Sequence, residues 1–164
     1  MAAESHFVPV TVVGGPLSAS VSSVALAPVV YVNVEYANTG TLVHTVVDQR
    51  GTAEGWSVTL SVSAFDYVGV TPNGADIAAG AYTIQTANGP VRVSGQAISG
   101  TGGPAIPTGS ATGTLDEPIM VLVANDGLGA GVHNQIYSVV LIIPAGIQAG
   151  VYTAFVNATT SAAP

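Results

Sequence analysis

The stretch Trp56-Ser57-Val58-Thr59-Leu60-Ser61-Val62-Ser63 alternates apolar and small hydroxyl residues without a break. Successive side chains of a strand point to opposite faces, so Trp56, Val58, Leu60 and Val62 share one face and the hydroxyls share the other. A helical period of 3.6 would scatter the same residues around the axis. The stretch therefore predicts a strand with a packed inner face and a wet outer face.

Working outward, alternating or β-branched runs recur at residues 7–13, 17–21, 29–36, 41–47, 81–86, 91–94, 119–124, 137–143 and 151–158. With 56–63 they amount to about ten short strands. Turn formers stand between them: Gly14-Gly15-Pro16, Asn38-Thr39-Gly40, Arg50-Gly51, Pro72-Asn73-Gly74, Asn88-Gly89-Pro90, Asn125-Asp126-Gly127 and Pro144-Ala145-Gly146. Strands punctuated in this way predict an all-β chain, a single domain over residues 1–164, built as an antiparallel β-sandwich or a Greek-key or jelly-roll-like barrel. Asn88-Gly89 reads as the turn of a hairpin between 82–86 and 91–94, with Pro90 placed where a missing N–H is tolerated. Residues 99–113 are too poor in large apolar side chains for core and too rich in Gly and Pro for a helix, so they predict a long loop. Residues 75–83 and 145–153 resemble each other, which suggests two uses of one corner delivering a strand-opening tyrosine, Tyr82 and Tyr152.

Charged residues make up only 7% of the chain, against about 25% in ordinary soluble domains. No run approaches the roughly 20 apolar residues of a membrane-spanning helix, which argues against membrane insertion. Arg50 and Arg92 face nine acidic residues, for a net charge of −7. Nucleic-acid binding needs clustered cations to neutralise phosphates, and anionic lipid needs a polybasic patch; neither exists here. Without cysteine there is no disulfide and no thiolate metal site. The segment Met1-Ala2-Ala3-Glu4-Ser5-His6 lacks the basic and apolar regions of a signal peptide, so an exported protein is expected to begin here near its mature end, whereas a virion protein would keep Met1.

Hydrolytic catalysis needs paired carboxylates, or a nucleophile with a base. Only Asp116 and Glu117 are adjacent, and an extended backbone would point them apart, so they read as a solvated loop. His6, His44 and His133 are far apart in sequence and read as surface or terminal residues rather than metal ligands. Asn125-Asp126-Gly127 and Asp48 offer oxygens to calcium but lack ligand-loop spacing, and an Asx turn accounts for them. No enzyme activity, cofactor or metal is therefore expected. Asp48 and Arg50 flank the turn before Trp56 and are expected to brace it as an ion pair. Trp56 itself is a candidate stacking platform for a sugar ring, although the face it shares with Val58, Leu60 and Val62 favours the core. Asn157-Ala158-Thr159 is an N-glycosylation sequon.

Three blocks in order carry a family resemblance: residues 10–18, Val-Thr-Val-Val-Gly-Gly-Pro-Leu-Ser; residues 47–58, Val-Asp-Gln-Arg-Gly-Thr-Ala-Glu-Gly-Trp-Ser-Val; and residues 142–153, Ile-Ile-Pro-Ala-Gly-Ile-Gln-Ala-Gly-Val-Tyr-Thr. Together they resemble the WxL-type surface domains of Gram-positive and related bacteria. The resemblance implies that Asp48, Arg50 and Gly51 form a turn delivering the tryptophan strand. It also implies that Pro144, Gly146, Gly150 and Tyr152 shape the turn delivering the last strand. The chain departs from that family at Trp56-Ser57-Val58, where Trp-x-Leu is usual, and at Ala158, where a distal tryptophan would fall. An extracellular cell-surface location and binding to peptidoglycan or another wall glycan are what the resemblance implies for typical members.

Scarce charge favours a subunit whose faces are covered by neighbours over a freely diffusing monomer. The chain also lacks lysine, which commonly blocks sheet edges. The leading expectation is a non-catalytic extracellular protein that assembles with copies of itself into a surface filament or layer. Residues 1–13 are nominated as a donated or edge strand that uses Phe7, Val8, Val10 and Val12. A wall-binding module and a virion surface protein are the alternatives.

Overall fold

The computed structural model describes residues 9–22, 24, 26–52, 54–70, 74–108 and 111–162. The strands in chain order are β1 Leu17–Val21, β2 Tyr36–Asp48, β3 Trp56–Val62, β4 Asp66–Val68, β5 Tyr82–Ala87, β6 Val91–Gly95, β7 Gly113–Thr114, β8 Ile119–Ala124, β9 Gly131–Ile143, β10 Val151–Thr153 and β11 Val156–Ala162. A single 3₁₀ turn, Ala79–Ala81, precedes β5, and there is no α-helix among the described residues.

Two long strands form the frame. β2 and β9 pair antiparallel over thirteen residues each, from Tyr36↔Ile143 to Asp48↔Gly131, without a register shift. Because the side-chain period is two, one unbroken register puts Leu42, His44 and Val46 of β2 and His133, Gln135, Tyr137, Val139 and Leu141 of β9 on the buried side. β1 extends this sheet beyond β2, while β5, β6 and β7 extend it beyond β9. The facing sheet has the order β11-β3-β8, and β4 with β10 forms a separate ribbon. Trp56, Val58, Leu60 and Val62 are all buried on β3, the middle strand of its sheet, and join the side chains of the first sheet in one apolar cluster. β1 and β11 approach each other along one flank but do not pair. The molecule is thus an open antiparallel sandwich and not a closed barrel.

Irregularities adjust the packing locally. Val121 is an extra residue between the pairs Val58↔Leu122 and Thr59↔Met120, and this bulge lets Val121 and Leu122 both face the core.

Several expectations need correction. Asn88-Gly89 does not turn a hairpin: β5 and β6 lie end to end along the same edge of β9. Neither Asn88 nor Gly89 takes the positive φ that a two-residue hairpin demands. The long edge of β9 offers both segments a ladder, Asn88 N–H donates to Ile136 O at 3.0 Å, and Pro90 stands at the break.

Asn38-Thr39-Gly40 is not a turn but part of β2. The Asn38 amide is satisfied by Ala27 O at 2.9 Å, and a Cβ on Gly40 would lie 2.8 Å from Leu26 Cδ2, so this glycine admits a packed neighbour. Only Tyr36 of the run 29–36 enters a strand, although Val32-Asn33-Val34-Glu35-Tyr36 alternates. The stretch 9–13 also lies outside any strand, and residues 7 and 8 are outside the described residues. The loop 99–113 contributes to the core after all: Gly103, Pro104 and Ala111 are buried, and Ala105 exchanges hydrogen bonds of 2.8 and 3.0 Å with Val123 on the outer edge of β8. Small residues suffice where backbone packs directly against a sheet. Residues 151–158 form two strands, β10 and the start of β11, and the short strands β4 and β7 have no counterpart among the expected runs.

The architecture predicts a contrast measurable by urea unfolding. Leu60→Ala, fully buried on the middle strand, should cost roughly 2–5 kcal/mol. Val10→Ala, exposed ahead of β1, should change stability by less than about 0.5 kcal/mol.

Candidate functional site

Charge is concentrated at the end of the sandwich where β2 stops. Arg50 grips Asp48 with two parallel contacts, Nε to Oδ1 at 3.0 Å and Nη2 to Oδ2 at 3.1 Å, while its own N–H donates to Asp48 Oδ1 at 3.1 Å. The same guanidinium reaches Glu54 Oε2 at 3.3 Å and donates to the carbonyls of Glu54 and Gly55 at 2.6 and 3.2 Å. Gly51, at φ +70°, supplies the left-handed step that lets the chain fold around this head group. The expected ion pair is present and nearly buried, with side-chain exposures of 14% and 6%. It delivers Trp56, which is wholly buried and donates its indole N–H to Gly129 O at 3.2 Å. Trp56 therefore belongs to the core and is out of reach of a sugar ring.

The turn residues near the chain's end are also structural. Gly146 takes φ +75° after Pro144. Gly150 lies against the Tyr67 ring, where a Cβ would fall 2.4 Å from Cε2. Tyr152 donates to Gln148 O at 2.7 Å and tilts against Tyr67 at 5.3 Å between centroids. Tyr82, by contrast, follows a 3₁₀ turn and is buried, so the two similar segments open strands through different corners.

No group of three or more His, Asp or Glu side chains that could hold a metal exists among the described residues. Asp116 and Glu117 are exposed in a bend, and Asn157 is exposed on β11 opposite Ser61. Asp126 Oδ1 accepts the Gly55 N–H at 3.1 Å, so its carboxylate ties two loops together. His6 lies outside the described residues.

The reading of His44 and His133 as surface residues is overturned, since both are fully buried. His44 alternates with Leu42 and Val46, and His133 occupies the matching inward position on β9, opposite Val46. The alternation Leu42-Val43-His44-Thr45-Val46 was the signal that pointed inward. Tyr137 Oη lies 3.4 Å from His44 Nδ1, while His44 Nε2 and both nitrogens of His133 have no hydrogen-bond partner. Burial lowers the His44 pKa from 6.5 to about 4, and His133 is shifted in the same direction, again chiefly by burial.

Several of the most exposed apolar side chains lie at the two ends. At the Arg50 end, an arm leaves the fold: Gly15 N–H donates to Gln49 O at 2.7 Å, and Val10, Val12 and Val13 beyond it are 85–90% exposed. At the Tyr36 end, Val30, Val34, Val151 and Phe155 are all at least 60% exposed. Two grooves open there. One of about 470 Å³ lies between the chain following β1 and the start of β11, and the other, of about 410 Å³, lies under residues 26–36. Among the described residues no charged side chain lines either groove. Sequence reasoning missed both grooves, because they arise where elements diverge.

Compared with known proteins, the chain matches no family model, no curated protein and no solved structure.

Two predictions follow from this geometry. Arg50→Ala should lower stability by about 2 kcal/mol in urea unfolding, above the range of an exposed pair, and Arg50→Lys should restore less than half, because an ammonium cannot replace the planar fork. Acid should also destabilise the fold through the buried histidines. The unfolded chain binds the His44 proton near pH 6.5 and the folded chain only near 4, so this contribution is complete above 6.5 and is lost as pH falls toward 4. The loss is roughly 3 kcal/mol, and a His44→Leu variant should show a flatter stability profile over that window.

Proposed function

We propose that this protein is a non-catalytic extracellular structural subunit that assembles with copies of itself into a surface filament or layer. The observation that carries the reading is the exposed apolar arm, residues 9–13, at one end of a sandwich whose other end exposes further apolar side chains. Val10 and Val12 at roughly 90% exposure place apolar surface in water with nothing from their own molecule to cover it. The free flank formed by β1 and β11 carries no lysine to block pairing with another chain. Because the arm and the apolar end lie at opposite poles of β2, contacts between them are heterologous, and such contacts build open chains unless a rotation closes them. The resemblance to WxL-type surface domains agrees with an extracellular setting. Trp56, the candidate sugar platform for the wall-binding alternative, is buried.

Negative-stain microscopy with analytical ultracentrifugation tests the proposal. Regular fibres or sheets are expected from the full chain, and their loss is expected on deletion of residues 1–13. A full chain that stays monomeric at every concentration would overturn it, and fibres from the deleted variant would remove the arm from the assembly.

A further inference from the structure

The larger groove is built like a place for one more strand. Its floor is core: Val62, Phe65 and Tyr82 are at most 8% exposed. Its walls are Val21, Ser22, Val24 and Leu26 on one side and the chain leading into Val156 on the other. Both walls offer unpaired backbone. Ser22 N–H donates to Val43 O, and Gln49 N–H donates to Pro16 O, so even-numbered residues of β1 face β2. The N–H and C=O groups of Val21, the β1 residue that lines the groove, then point outward. Ser63 N–H donates to Phe155 O, which by the same reasoning turns the backbone groups of Val156, the β11 residue that lines the groove, away from β3. The side chains of these residues are only half-buried, as expected of an edge.

We infer that this groove is the acceptor for the N-terminal arm of a second copy, with residues 9–13 lying in it as an extended strand. The inference rests on the assembly reading above and names the surface that completes it. Three observations commit the groove to that occupant. The arm is apolar, uncharged and β-branched, and the groove it would enter has no charge to pair. Val10 and Val12 are two residues apart, so in an extended strand both point to one face, toward Val62, Phe65 and Tyr82. Residues 9–13 cannot reach the Tyr82 floor of their own molecule: the arm is rooted beyond Asp48, whereas Tyr82 pairs with Leu141, itself opposite Asn38. That is ten strand steps, about 33 Å, against about 17 Å for five extended residues. Polarity is consistent as well. An arm entering from the Tyr36 end with its N-terminus leading runs parallel to β1 and antiparallel to β11, so its antiparallel ladder would form with the β11 wall.

The chain has no cysteine, so single cysteines can report the contact without background. Full-length Val12→Cys and Phe155→Cys, the latter exposed at the groove rim, are mixed under assembling conditions and treated with a short bis-maleimide. Val12→Cys with Thr52→Cys, exposed at the Arg50 end, serves as the control pair. The inference expects a several-fold excess of the Val12–Phe155 crosslinked dimer over the control pair. Fibres without that excess would overturn the groove as acceptor and leave the assembly reading standing. A mixture that remains monomeric and uncrosslinked would overturn both.

Discussion

The unbroken pairing of β2 with β9 is the constraint on which the rest of the structure depends. Thirteen residues on each strand meet without a bulge, and every other element of the larger sheet attaches to one of the two. A slip of one residue would turn Leu42, Val46, Tyr137 and Val139 to solvent, so burial specifies the register strongly. The same register carries His44, His133 and Gln135 inward with the apolar residues. Buried imidazoles with few hydrogen-bond partners are costly when charged. They are tolerated here because burial keeps both neutral near pH 7.

The irregular parts of the fold follow from what this frame leaves unfilled. β5 and β6 share one edge of β9 because neither is long enough to cover it alone. The loop 99–113 lines the outer edge of β8 through Ala105, which gives that strand's backbone a partner. On the opposite flank the chain after β1 leaves the ladder at Ser22 and runs on without strand pairing to Tyr36 among the described residues. The two sheets diverge there, and the grooves lie where they diverge.

Much of the fold was legible from alternation alone. The bounds of β1 and β8 match their runs, β3 ends one residue early, and Trp56 faces the core as its period requires. The turn around Asp48 and Arg50 was legible because two opposite charges stand out in a chain with so few. The failures share a physical cause, in that each depends on a partner the local sequence does not name. Asn38-Thr39-Gly40 looks like a turn until β9 lies beside it and Leu26 covers the glycine. Asn88-Gly89 looks like a hairpin until a longer neighbour offers both arms a ladder. His44 and His133 look polar and therefore external, but strand period outweighed residue type. The arm was nominated from its β-rich composition, whereas its candidate partner surface became visible only in three dimensions.

The scarcity of charge and the position of the arm are connected through one turn. Gly14, at the root of the arm, lies so close to Arg50 that a Cβ would come within 2.2 Å of the Arg50 carbonyl oxygen. Gly15 is bound to Gln49, and Pro16 accepts from it in return. The segment that carries the ion pair is therefore also the anchor from which the arm departs. Directional contacts hold that segment in place. The guanidinium supplies them, binding two carboxylates and two carbonyls from a single side chain. A chain that keeps only two cations places one of them where core and arm meet. Loosening that turn would free both the delivery of Trp56 and the direction in which the arm leaves, so stability and assembly draw on the same contact.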